Sequence, residues 1–170
     1  MLRSLVGSEM CIRDSDMSAF SKASVEGSDS ETWLNSILAN KVPSKPGRIA
    51  LCHMLSLNGG VRAEFTVYRK SRNSFYLVFS GATERHDWDY LNKLLPKHGS
   101  INIQNITTQK GVFVIAGPKS RSLLQKLTDT SLDNEHFPWL TGKTVNIGYG
   151  IADALRINFV GELGLSLIHI

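Results

Sequence analysis

Residues Leu57–Ser80, LNGGVRAEFTVYRKSRNSFYLVFS, decide the fold. Asn58-Gly59-Gly60 is a turn signal, because glycine enters positive φ without a steric cost. From Val61 the residues alternate. Val61, Ala63, Phe65 and Val67 share one side; Arg62, Glu64, Thr66 and Tyr68 share the other. A period of two predicts a strand with one face in a core. The polar run Arg69–Ser74 predicts a break with solvated charge, and Phe75–Phe79 predicts the return strand of a hairpin. Glu64 is a mid-strand carboxylate among apolar residues, facing either solvent or a ligand. Tyr76, Val78 and Ser80 alternate on the return strand, and one register sets them beside Glu64 and Tyr68. Such a face carries an acid, two phenols, a hydroxyl and an apolar floor, which suits a flat heteroaromatic ligand with ring nitrogens.

Working outward, Phe20–Gly27 reads as a short strand. Ser28 and Glu31 have capping-box spacing, and Trp33, Leu34, Ile37 and Leu38 then recur at helical spacing. Pro43, Pro46 and Gly47 mark a loop before Ile49–Leu57, which leads into the hairpin. Thr83 is placed to cap a second helix, with Trp88, Leu91, Leu94 and Leu95 on one side and Pro96 ending it. Ile101–Ile106 and Gly111–Ala116 read as strands. Gly117-Pro118 opens a third helix, with Pro118 in its first turn and Leu123, Leu124 and Leu127 apolar. Gly142–Gly150 and Leu155–Phe159 read as the last strands. Hairpins mixed with helices predict an α+β fold, an antiparallel or mixed sheet with helices packed on it.

The two ends read differently. Leu5–Ser15, LVGSEMCIRDS, matches the translation of a common transposon-based sequencing adapter, and Leu165–Ile170, LSLIHI, matches its inverted end. Residues 1–15 and 165–170 are therefore expected to be non-native and to make few contacts, and residues 16–164 form the domain to be read. Met10, Ile12 and Ile168 test this expectation. The formal net charge is +4, and residues 1–15 hold two charges of each sign, so trimming leaves it unchanged. That mild, spread excess suits an anionic small molecule as well as a nucleic acid, but Arg69–Arg72 is a hairpin-turn charge run without the broader aromatic patch that nucleic-acid binding asks for, so no nucleic-acid partner is expected. With Cys11 set aside, Cys52 stands alone, which is compatible with a reducing compartment such as the bacterial cytoplasm or a mitochondrial matrix. No stretch is long enough to span a bilayer as a helix, and no membrane partner is expected.

Motifs alone carry little chemistry. His53, His86, His98 and His136 lack metal-ligand spacing, so no metal site is expected, and Cys52 and His53 point to opposite faces of a strand. There is no phosphate loop, no nucleophile elbow and no G-x-G-x-x-G for FAD.

Longer stretches carry a family likeness. GGVRAEFTVYR followed by FYLVFSGATERHDWDYLNKLLP resembles the aminomethyltransferase, or glycine-cleavage T-protein, folate-binding domain. The likeness is closest to the C-terminal half of bacterial dimethylglycine and sarcosine dehydrogenase-like flavoproteins. Asp16–Phe20, Val114–Pro118 and Phe159–Gly164 extend it over essentially all of residues 16–164. The resemblance implies tetrahydrofolate as ligand and Glu64 in the place of the family's catalytic acid, usually Asp. It places pterin contacts on Phe20, Tyr68, Val78, Ser80 and Phe159. Ser80 stands where the family has Asn, and Phe159 where it has Tyr. A second pterin-binding acid would fall on position 166, which is Ser166 here. Glu64, Tyr68, Val78 and Ser80 also belong to the one face that alternation grouped. The resemblance further implies a flavin domain in the parent chain that holds FAD and oxidises an N-methyl amine, the folate domain capturing the carbon as 5,10-methylenetetrahydrofolate. The fragment alone is then expected to be inactive. Two other implied readings are a non-catalytic regulatory module on the same fold and a folate-dependent iron–sulphur maintenance protein.

Overall fold

The computed structural model describes residues 13–158 and 161–169. The chain divides into two compact units. One is Ser18–Lys110; the other joins the N-terminal residues through Met17 to everything from Gly111 onward. Each is an antiparallel five-stranded sheet carrying short helices, the α+β layering expected from the sequence.

In Ser18–Lys110 the elements are β2 (Ser21–Glu26), α1 (Ser30–Ile37), β3 (Ile49–Leu55), β4 (Val61–Ser71), β5 (Ser74–Phe79), α2 (Glu84–Lys93) and β6 (Asn102–Asn105). The sheet order is β3-β4-β5-β2-β6. Alternation on β4 is observed: Phe65 and Val67 are buried, and the core gathers Ala23, Val25, Cys52, Met54, Phe75, Leu77 and Phe79 beneath Trp33, Leu34 and Leu91. Trp33 belongs there because its one polar atom is satisfied, Nε1 donating to the Leu94 carbonyl at 2.8 Å.

Three local expectations need correction. The polar run does not break the strand at Arg69: β4 continues to Ser71, and Arg72-Asn73 alone make the turn. Arg69 keeps the inward parity of Phe65 and Val67 and is buried. Its guanidinium donates to the carbonyls of Pro43 (2.9 Å), Ser71 and Arg72 and pairs with Glu31 at 2.8 Å, so a charge the sequence assigns to solvent holds the hairpin against α1 and the proline loop. Ser28 is not the cap of α1. The helix starts later, with Asp29 at the cap position and no side-chain cap bond, and the Gly27 carbonyl takes the Ser30 N–H at 3.2 Å. Gly27 has φ +138°, and a Cβ there would lie 2.0 Å from the Ser100 oxygen, so only glycine fits. Thr83 does occupy the cap position of α2, but its hydroxyl donates to Asp87 Oδ2 at 2.6 Å rather than taking a backbone N–H.

In the second unit β1 (Arg13–Asp16), β7 (Gly111–Ala116), α3 (Ser120–Leu124), β8 (Gly142–Ile147), β9 (Gly150–Leu155) and β10 (Gly164–His169) give the sheet order β1-β7-β10-β9-β8. Pro118 precedes α3 instead of lying in its first turn, and the helix is one short turn. Leu124 alone of the three leucines is buried, while Leu123 and Leu127 are exposed. The strand expected over Gly142–Gly150 is the first arm of a hairpin. Gly148, at φ +56°, turns the chain and Gly150–Leu155 is the return arm, so the strand expected over Leu155–Phe159 ends where it was to begin. Small residues at Ala152 and Ala154 hid it from a periodicity reading.

The expectation that residues 165–170 make few contacts is overturned. β10 lies between β7 and β9, pairs with both, and buries Leu165, Leu167 and Ile168. Leu165 and Leu167 alternate with Ser166, which suits a strand buried in mid-sheet. At the other end β1 pairs with β7. Met10 and Ile12 lie outside the described residues.

Candidate functional site

Residues directly opposed in an antiparallel sheet share a face, so the register of Ser18–Lys110 fixes what stands on the side away from the helices. One row runs Ile49, Tyr68, Tyr76, Ser24. The next runs Leu51, Thr66, Val78, Lys22. The third begins with His53 opposite Glu64. Phe20 and Ser80 adjoin the terminal pair Ser21–Phe79 of β2 and β5. The backbones are close there: Ser21 Oγ donates to the Ser80 carbonyl at 3.2 Å, and a Cβ on Gly81 would lie 2.1 Å from the Ala19 oxygen. Glu64, Tyr68 and Val78 thus fall in three adjacent rows, and Phe20 and Ser80 lie just beyond the paired residues. Phe159 lies outside the described residues.

The five differ in availability. The Glu64 side chain is 58% exposed. Val78 and Phe20 are half-buried and Ser80 is exposed. Tyr68 is buried, its ring edge-on to Tyr76 at 6.2 Å, so it does not offer an open phenol. The Tyr76 hydroxyl accepts from Lys70 Nζ at 3.1 Å. Lys22 is also buried; its ammonium donates to the carbonyls of Ser18 (2.8 Å) and Phe20 (2.7 Å), which fixes the backbone that carries Phe20. The Arg62 charge turns to α2, with Nη2 2.6 Å from His86 Nε2 and the guanidinium 3.9 Å above the Tyr90 ring. At the start of α2 the Asn105 amide, helped by Ser21, Thr107 and the nearby Lys22 charge, holds the Glu84 carboxyl below its usual range against the opposing effect of burial.

One contact escaped the sequence reading. Cys52 and His53 do lie on opposite faces, but His53 Nε2 meets Glu64 Oε2 at 3.2 Å. The signal was present: a hairpin turning at Asn58-Gly59 pairs Leu55 with Val61, and counting back through the bulge brings His53 to Glu64. The arrangement offers an exposed carboxylate, held from one side, next to an apolar residue and a hydroxyl, which can accept from N–H groups of a flat ligand. Among the described residues no group of three or more His, Cys, Asp or Glu could hold a metal, and no helix is long and apolar enough to cross a membrane.

Antiparallel sheets with few helices match the aminomethyltransferase fold. The chain superposes on glycine cleavage system aminomethyltransferase T from Bartonella henselae with a TM-score of 0.79 over 93% of its length and 42% of that protein's, at 17% identity. Residues 13–169 match the family model described as the GCVT N-terminal domain, and the chain belongs to that family. It is 39% identical to mitochondrial dimethylglycine dehydrogenase of Mus musculus over 155 residues, and 30% identical to mitochondrial sarcosine dehydrogenase of Homo sapiens over 166. These alignments cover 91% and 89% of this chain but 18% of each relative, so the chain spans less than a fifth of their length.

Proposed function

We propose that the sheet face bearing Glu64 binds tetrahydrofolate. In the parent protein, we infer, this domain captures a one-carbon unit from an N-methyl amine of the dimethylglycine or sarcosine type as 5,10-methylenetetrahydrofolate. One observation carries the reading: three residues that the family resemblance assigns to the folate, Glu64, Tyr68 and Val78, share one face of the sheet by its backbone register. Family membership and the dehydrogenase relatives support it.

The chemistry asks for a proton acceptor. An N-methyl amine oxidised by two electrons, with FAD in a separate flavin domain as acceptor, leaves an iminium carbon. Bound tetrahydrofolate would supply N5 and N10 to receive that carbon; the N5 proton would leave with the departing amine, and N10 would give up its proton as the ring closes. Glu64, open to solvent, would take that proton and hold the folate N–H groups, a general acid–base role. Val78 supplies an apolar wall and Ser80 a hydroxyl.

The test is calorimetric titration of the chain with 5-formyltetrahydrofolate, a stable reduced folate. Glu64→Gln keeps size and one acceptor oxygen but loses the charge. It is expected to weaken binding by about 1–3 kcal/mol, the range for a charged hydrogen bond. Unchanged affinity would remove Glu64 from the site.

A further inference from the structure

We propose that His53 is the positioning residue of Glu64: it holds Oε2 from the neighbouring strand and leaves Oε1 directed to the ligand. The inference rests on the folate reading and adds to it a residue that the family likeness did not supply.

A glutamate has three side-chain rotors, and one that is 58% exposed samples many carboxylate positions unless something holds it. The groups nearest in sequence and register are engaged elsewhere. Arg62 is bound to His86 and stacked on Tyr90 of α2. Lys22 donates to the carbonyls of Ser18 and Phe20, and Lys70 to Tyr76. His53 is the residue that meets the carboxylate, at 3.2 Å, and it stands directly opposite Glu64 in the register. Its own mount is firm. Cys52 and Met54 on either side are fully buried, and the His53 carbonyl accepts the Ala39 N–H at 2.8 Å. The imidazole is only 35% exposed. With its proton on Nε2 the ring donates to Oε2 and reduces the carboxylate's freedom before a ligand arrives.

The test is a double-mutant cycle on the 170-residue chain, read as 5-formyltetrahydrofolate affinity. For a pair this exposed, His53→Ala is expected to weaken binding by about two- to fivefold. His53→Gln retains an N–H donor on that strand and is expected to stay near wild-type affinity. In a Glu64→Ala background, which leaves no acceptor for the imidazole, His53→Ala is expected to change nothing further. An equal loss in both backgrounds, or His53→Gln as weak as His53→Ala, overturns the positioning role while folate binding stands. A wild-type chain that binds no folate overturns the folate reading itself, and His53's role with it. The contact also reads without ligand: Glu64→Gln moves the His53 Nε2 nitrogen resonance, and a resonance that stays put overturns the pair.

Discussion

Arg69→Met gives the sharpest test of how Ser18–Lys110 is held together. Methionine keeps the apolar stem in the Phe65–Val67 row but removes every donor. The Pro43 carbonyl, whose bond to Arg69 is buried, is left without a partner, a loss of about 1–3 kcal/mol. The Ser71 and Arg72 carbonyls are better placed to rehydrate, so each bond lost there costs about 0.5–1.5 kcal/mol. The Glu31 partner is 42% exposed, and solvent screening limits that pair to at most about 1 kcal/mol. Together these give an expected destabilisation of roughly 2–7 kcal/mol. The assay is urea unfolding followed by tryptophan fluorescence in a Trp139→Phe background, which leaves Trp33 and Trp88, both within this unit. A midpoint lowered by about 1 M or more at an unchanged slope is the expected result. Glu31→Gln, the control, is expected to cost less than about 1 kcal/mol. If Arg69→Met cost no more than that control, the guanidinium would be solvated, as the sequence alone suggested, and the reasoning would fail.

Two further expectations concern titratable groups. In the second unit the Ser131 hydroxyl, then the His136 backbone N–H and ring, hold the Asp133 carboxyl well below the usual carboxylate range. The folded chain therefore binds that proton less readily than the unfolded one. The stabilisation is complete above the unfolded value near 3.8 and is lost as pH falls below it. Asp133→Asn should make unfolding less steeply dependent on pH below about 4, and an unaltered acid limb would contradict this. Burial pushes the Cys52 thiol up to about 11 and closes it to solvent. In a Cys11→Ser chain, a disulfide reagent at pH 8 should label Cys52 only after denaturant is added, and rapid labelling of the native protein would show that the core is open there.

Much of the central hairpin was legible because its alternation is strong. Phe65, Val67, Phe75, Leu77 and Phe79 declared one face, and Glu64, Tyr68 and Val78 were left for the other. What escaped depended on partners far along the chain. The burial of Arg69 required the carbonyl of Pro43, which no local pattern encodes. The approach of His53 to Glu64 required the register of β3, which a bulge at Met54–Leu55 obscures. The Gly150–Leu155 strand was masked by small residues, and the place of Leu165–Ile168 in mid-sheet was missed because the segment was set aside on its likeness to adapter translation. Tyr68 showed the limit of parity: alternation gave its face correctly, but only packing shows that its ring is buried.

The measurement that tests the central claim most directly is an isotope-edited nuclear Overhauser experiment on the chain saturated with 5-formyltetrahydrofolate. If the Glu64 face is the folate site, the protons on C6, C7 and C9 of the ligand give intermolecular effects to the Val78 methyl groups and the Phe20 ring. Saturable binding with effects confined to Tyr149 and Ile151, exposed residues of the other unit, would contradict it.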